Sequence, residues 1–139
     1  MDEMDEVDEK ILELLRMDSR ASYGAIGEKV GLSEGAVRAR IKKLVESGVI
    51  RRFTVETGPL REAEALSLIS VNPSIPTSKV SAVLRGISKV RMIYEVTGEY
   101  DIVVVISAAD IAEINECVEQ IRKIEGVLDT NTMIVLRKW

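Results

Sequence analysis

The sequence predicts an α+β chain, in which an N-terminal helix-turn-helix precedes a βαββαβ domain of ferredoxin-like layout. Three observations predict it. As far as Gly48 the apolar residues recur at three- to four-residue spacing. Beyond it, apolar runs of strand length alternate with two further helical patterns. Glycines stand at the joins between segments. With 139 residues and 46% apolar content, the chain is long enough for one ordinary domain or two small ones with real cores.

Val7, Ile11, Leu14 and Leu15 repeat at helical spacing behind an acidic first turn that suits the helix dipole, which predicts a first helix over residues 6–17. The acids there read as caps and a solvated face. A second helix begins after Ser22 with Tyr23, Ile26 and Val30 on one side, and it stops at Gly31, which tolerates the left-handed conformation in which helices often end. Leu32 fills the corner. Ser33 is a good N-cap, and Val37, Ile41 and Leu44 give a third helix that runs to about Ser47 and stops at Gly48.

From Arg38 to Arg52 there are six basic residues against one acid, in a chain whose net charge is −4. The face of the third helix opposite its apolar stripe carries Gly35, Ala39, Lys42 and Lys43, flanked by Arg38 and Arg40. Small residues in the middle let such a helix approach a groove closely while arginines reach base edges and lysines meet phosphates. A solvated basic face is the plainer reading of charges alone. Here they fall on the second helix of a helix, Gly-Leu turn, helix arrangement, which points to double-stranded DNA. The candidate DNA-binding residues are Ser33, Glu34, Gly35, Arg38, Ala39, Arg40, Lys42 and Lys43.

After Gly48, Val49, Ile50, Phe53 and Val55 suggest an extended segment closed by Gly58-Pro59, so the domains are expected at 1–52 and 63–139 with a linker over 53–62. The second domain reads as a strand "EALSLISV", a helix over 78–87, a strand "KVRMIYEV", a turn at Gly98 and a strand "YDIVVVIS". A helix follows behind an Asp110/Glu113 capping box, and "TNTMIVLRKW" forms the last strand. In this topology the first and third strands are central, and they are the most apolar. Two helices cover one face of a four-stranded sheet, yet Ile102, Val103, Val104, Val105 and Ile106 are apolar in both parities. The uncovered face, whichever parity forms it, calls for a second copy of the sheet.

The chain has one cysteine, Cys117, on the apolar side of a helical pattern, and no histidine. This leaves no internal disulfide, no conventional metal site and no common general base, and neither Glu116/Glu119 nor Glu62/Glu64 reads as a paired-carboxylate site. No metal, cofactor or catalytic residue is expected. The apolar runs are far below the ~18 residues of a membrane helix, and the start "MDEMDEVDEK" is acidic where targeting peptides are basic, so a cytoplasmic protein is expected.

"VGLSEGAVRARIKKLVESGVI" at 30–50 and "TGEYD" at 97–101, in this order and at this spacing, resemble the Lrp/AsnC (feast/famine) transcription regulators over essentially the whole chain. The resemblance implies a dimer, commonly assembling to an octamer, whose second (RAM) domain oligomerises and senses a small molecule, usually an amino acid. It implies an effector site at the turn between the second and third strands, mapping to Gly98, Glu99, Tyr100 and Asp101, with Thr130 and Thr132 of the last strand as neighbours. Asp101 offers a partner for an amino acid's ammonium and the backbone near Gly98 for its carboxylate, while Glu99 makes a cationic side chain attractive. A plain hairpin, with Gly98 at positive φ and Asp101 capping the turn, is the competing reading. Gly35 and Ala39 depart from the larger or polar residues of many relatives. Two other functions compete: a ligand-independent DNA-organising protein of nucleoid type, and an enzyme or metabolite-binding module on the second half, for which no catalytic constellation speaks.

Overall fold

The computed structural model describes residues 3–58 and 60–139; Met1, Asp2 and Pro59, which was expected to close the extended segment, lie outside the described residues. The chain divides into two compact units, Met1–Glu56 and Thr57–Trp139.

The first unit holds α1 (Glu6–Met17), α2 (Tyr23–Val30) and α3 (Glu34–Glu46). Each helix starts where a short polar side chain satisfies an otherwise unpaired N–H. At α1 this is a reciprocal box, in which Asp8 N donates to the Asp5 carboxylate at 2.9 Å and Asp5 N donates to Asp8 at 3.3 Å. Ser22 accepts from Ala25 N and Ser33 from Ala36 N. Ile11, Leu15, Ile26, Val37, Ile41 and Leu44 form the core, with Leu32 and Ile50 packed against it. The turn between α2 and α3 depends on Gly27, whose carbonyl accepts from Gly31 N and Leu32 N at 2.8 and 3.0 Å. A Cβ at Gly27 would lie 2.3 Å from the Leu32 carbonyl oxygen, so no larger residue fits without moving backbone. Residues 51–58 form no regular element, and the extended segment expected there is not a strand.

The second unit runs β1 (Ala63–Val71), α4 (Thr77–Leu84), β2 (Val90–Glu95), β3 (Ile102–Ala108), α5 (Ile111–Arg122) and β4 (Val127–Ile134). The strand order is β2-β3-β1-β4, with every neighbouring pair antiparallel, so β1 and β3 are central as their composition predicted. Several boundaries differ from expectation, most at α4 and β4. α4 begins one residue earlier, after Pro76, and ends at Leu84, because Gly86 N and Ile87 N turn back to the Val83 and Leu84 carbonyls. β4 begins at Val127, directly after Gly126, and ends at Ile134, so most of the terminal "VLRKW" lies beyond the ladder. At α5, Asp110 accepts from Glu113 N, but the Glu113 carboxylate returns to Ala109 N, one residue ahead of the cap.

The parity left open by the five-residue apolar run is resolved by burial. Ile102, Val104 and Ile106 join Ala65, Ile69, Val80, Leu84, Ile114, Cys117, Val118 and Ile121 in one core between sheet and helices. Val103, Val105, Leu66 and Leu68 point the other way and are half-buried. The register sets Met92 beside Val105, Tyr94 beside Val103 and Met133 beside Leu66, so that face is apolar across all four strands. Both helices pack on the opposite side.

Candidate functional site

The outer side of α3 is built by its two ends. Ser33 caps the first turn, accepting from Ala36 N at 3.2 Å, and Glu34 holds Arg38 at 3.3 Å across one turn. That turn, where Gly35 costs about 1 kcal/mol of helix propensity, is therefore formed and buttressed in the protein alone. The Arg38 guanidinium also lies 5.4 Å from the centre of the Tyr23 ring on α2, a cation–π contact that holds it over the start of that helix. Gly35, Ala39, Lys42 and Lys43 are exposed, and a Cβ at Gly35 would meet nothing within 4 Å. Lys42 makes a loose 3.9 Å pair with Glu46.

Arg40, expected on this surface with the others, is turned toward α1. Its Nη1 donates to both Asp5 oxygens at 2.8 and 2.7 Å and to Asp8 at 3.1 Å. The Arg40 guanidinium, first by its hydrogen bonds, holds the Asp5 carboxyl below its ordinary value, and Asp5 raises Arg40 in return. Tyr23 as the aromatic support of Arg38 was not singled out from the sequence. Its position at the start of α2 and its apolar spacing hid the contact among core residues.

The second candidate region is the turn between β2 and β3. Gly98 has φ 112, a conformation that strains any residue with a Cβ. The turn is tied down on both sides: Val96 N donates to the Asp101 carbonyl at 2.9 Å, and Asp101 N to the Ile69 carbonyl at 2.9 Å. The Asp101 carboxylate accepts from Val71 N at 2.7 Å, where β1 loses register with β4. Glu99 is exposed, and Tyr100 is half-buried with its hydroxyl accepting from Asn131 Nδ2 at 3.3 Å. The structure therefore brings Asn131, opposite Leu68 in the register, up to the turn. Its neighbours Thr130 and Thr132 lie on the helix side: Thr130 is buried and accepts from Arg122 Nε at 3.0 Å, and Thr132 shares a 3.0 Å hydroxyl pair with Ser67. Strand alternation separates 131 from 130 and 132. A tract of polar residues in both parities conceals which of them faces which way.

Cys117 is buried, and its burial pushes the thiol up, away from the reactive thiolate; nearby Lys89 opposes this by less. Among the described residues no cluster of three metal-binding side chains occurs, and no helix is long and apolar enough to cross a membrane.

Residues 4–45 match the family model of the AsnC-type helix-turn-helix domain, and residues 64–139 that of the Lrp/AsnC ligand binding domain. The chain is 44% identical over 139 residues to the HTH-type transcriptional regulator LysM of Sulfurisphaera tokodaii, covering 100% of this chain and 99% of that protein. It is 38% identical over 138 residues to the HTH-type transcriptional regulator FL11 of Pyrococcus horikoshii, covering 96% and 90%. The fold resembles that of the leucine response regulatory protein of Mycobacterium tuberculosis, with a TM-score of 0.82 and 26% identity over 97% and 94% of the two chains. It also resembles a transcriptional regulator of Neisseria meningitidis solved in complex with L-Met, with a TM-score of 0.76 and 23% identity over 98% and 92%. A helix-turn-helix and a ligand-binding domain, in the same order and over nearly the whole length of these relatives, leave one assignment: the chain belongs to the Lrp/AsnC family of transcription regulators.

Proposed function

We propose that the protein binds double-stranded DNA through the outer face of α3 and that an amino-acid effector, held at the turn formed by Gly98, Glu99, Tyr100 and Asp101, tunes that binding. The observation that carries the DNA reading is the geometry of α3. An open centre at Gly35 and Ala39, with no internal packing to explain the glycine, is bordered by Arg38 and Lys42, with exposed Lys43 on the same outer side. Arg38 is preset by Glu34 and Tyr23, so less side-chain freedom is lost when it meets a base edge. Ser33 and Glu34 lie at the helix N-terminus, whose dipole favours a phosphate.

Lys42→Ala is expected to weaken binding on every sequence and to flatten the salt slope by about one unit, while Arg38→Ala costs about 1–3 kcal/mol on the preferred site only. Gel shifts across a salt series measure both. Parent-like binding by both variants removes α3 from the interface.

The effector reading is supported by the family's ligand-binding domain and by the turn's chemistry. Asp101 spends one oxygen on Val71 N–H, which leaves Oδ1 and exposed Glu99 for an ammonium or a cationic side chain. The L-Met complex of the Neisseria relative supports an amino acid as the ligand class. Asn131 joins this site through Tyr100, whereas Thr130 and Thr132 act behind it, from the helix side of the sheet. A second copy of the chain covers the apolar sheet face, and dimers assemble further, to octamers. Titration calorimetry with the common amino acids, repeated in the presence of DNA, tests the effector: linkage requires the two affinities to shift by the same factor.

A further inference from the structure

We propose that Arg40 serves DNA recognition as a positioning residue and not as a contact, by clamping the recognition helix α3 to the capping box that starts α1; the inference rests on reading α3 as the DNA-facing helix.

At ~100° per residue, Arg40 lies about 65° from the centre of the stripe made by Val37, Ile41 and Leu44, whereas Lys42 and Lys43 lie about 130° from it. A side chain so close to the buried stripe runs along the neighbouring helix. Its exposure agrees: the Arg40 side chain is 31% exposed, against 65% for Arg38 and 75% for Lys42.

Asp5 and Asp8 are not loose surface acids, because each already exchanges a hydrogen bond with the other's backbone N–H at the α1 N-terminus. Arg40 Nη1 reaches three of their oxygens at 2.7 to 3.1 Å. The cation thus ties the first turn of α1 to the middle of α3. One arginine beside two carboxylates leaves a local charge of −1, which repels a phosphate. An arginine meant to be released to DNA would gain little from such a site. One meant to hold a helix at a fixed angle gains two fixed, mutually capped anchors. The angle matters because base-edge hydrogen bonds fail beyond a few tenths of an ångström, while phosphate attraction does not.

The test compares affinity for a duplex selected by the wild-type protein from a random library with affinity for poly(dI-dC), across a salt series. The variants are Arg40→Gln, Arg40→Lys and the double variant Asp5→Asn/Asp8→Asn, with Lys42→Ala as the phosphate-contact reference. The expected result is that Arg40→Gln and the double variant each lower the specific-to-non-specific ratio about tenfold, the size of one lost base discrimination, and keep the wild-type salt slope. Arg40→Lys restores part of the ratio. A salt slope about 0.9 lower in Arg40→Gln, or tighter DNA binding when the two acids are neutralised, identifies a phosphate contact and overturns the proposal. Should Arg40→Gln fail to fold, the double variant decides alone, since it retains Arg40: an unchanged ratio overturns the clamp. If Lys42→Ala and Arg38→Ala bind as wild type, the DNA-facing reading of α3 fails instead, whatever Arg40 does.

Discussion

Among the described residues of the helical unit six buried side chains carry the core, and its edges are closed by caps and by the Arg40 ion pairs. Among the described residues the sheet unit buries fourteen apolar side chains between its sheet and helices α4 and α5, and it leaves the other side of its sheet apolar. The first unit has little interior to spare, so polar contacts at its surface set the geometry of what it presents. The second has interior in surplus and an apolar sheet face that the proposed second copy would cover. A substitution in one should be read in helix placement; in the other it should be read in fold against assembly.

The sharpest way to break this contrast is the pair Val104→Asp and Val103→Asp, adjacent on β3 and opposite in facing. Val104 is fully buried, and an unpaired carboxylate there is expected to cost at least about 3–5 kcal/mol, a large share of the ~5–15 kcal/mol that holds a domain together. Val103→Asp should keep the fold and dissociate the assembly. Urea unfolding with light scattering distinguishes them, and two variants that behave alike would remove the sidedness of the sheet.

Gly27→Ala probes the smaller core. The new methyl must displace the Leu32 carbonyl, at an expected cost of about 1–3 kcal/mol in the helical unit and with weakened DNA binding, while the sheet unit keeps its amide protection in hydrogen exchange. Gly35→Ala, in open space, should stabilise α3 by roughly 0.5–1 kcal/mol; loss of DNA affinity in that more stable variant would locate the groove at Gly35.

Acid titration yields a smaller effect. Asp5 has its carboxyl held below the ordinary 3.8 by Arg40, so its contribution to stability is present above that value and is lost as pH falls through the lower, folded value. Circular dichroism of the helical signal between pH 5 and 2 is expected to show acid sensitivity that Asp5→Asn reduces. A variant as acid-labile as wild type would separate the clamp from stability. The most local is Asn131→Ala, which removes one neutral hydrogen bond from Tyr100 and is expected to weaken effector binding by about 0.5–1.5 kcal/mol with assembly intact, as read by calorimetry.

The elements that the sequence made legible are those whose signal is periodic and local: the three helices with their Asp and Ser caps, and the central placement of β1 and β3. What escaped has a physical pattern. β4 begins at Val127 because the chain turns at Gly126, whereas the strand expected from the sequence began only at Thr130. Arg40 and Arg38 both flank the basic face in the sequence, until Asp5, 35 positions away, claims one and Tyr23 the other. Thr130, Asn131 and Thr132 carry no hydrophobic contrast, so their facing had to come from the ladder. Local patterns fix elements; pairings across tens of residues decide which polar side chains are spoken for.

The acidity of the chain has a kinetic consequence. A body of net charge −4 is repelled by duplex DNA at distances beyond contact, except where α3 presents its cations. With α3 as the proposed DNA-facing helix, approach in most orientations would be opposed within about a Debye length, ~8 Å at physiological salt, and the torque on the remainder would turn the basic helix toward the phosphates before they touch. On that proposed reading of α3, the same repulsion would shorten the lifetime of misplaced encounters and favour faster sampling of sequence over residence on any one stretch.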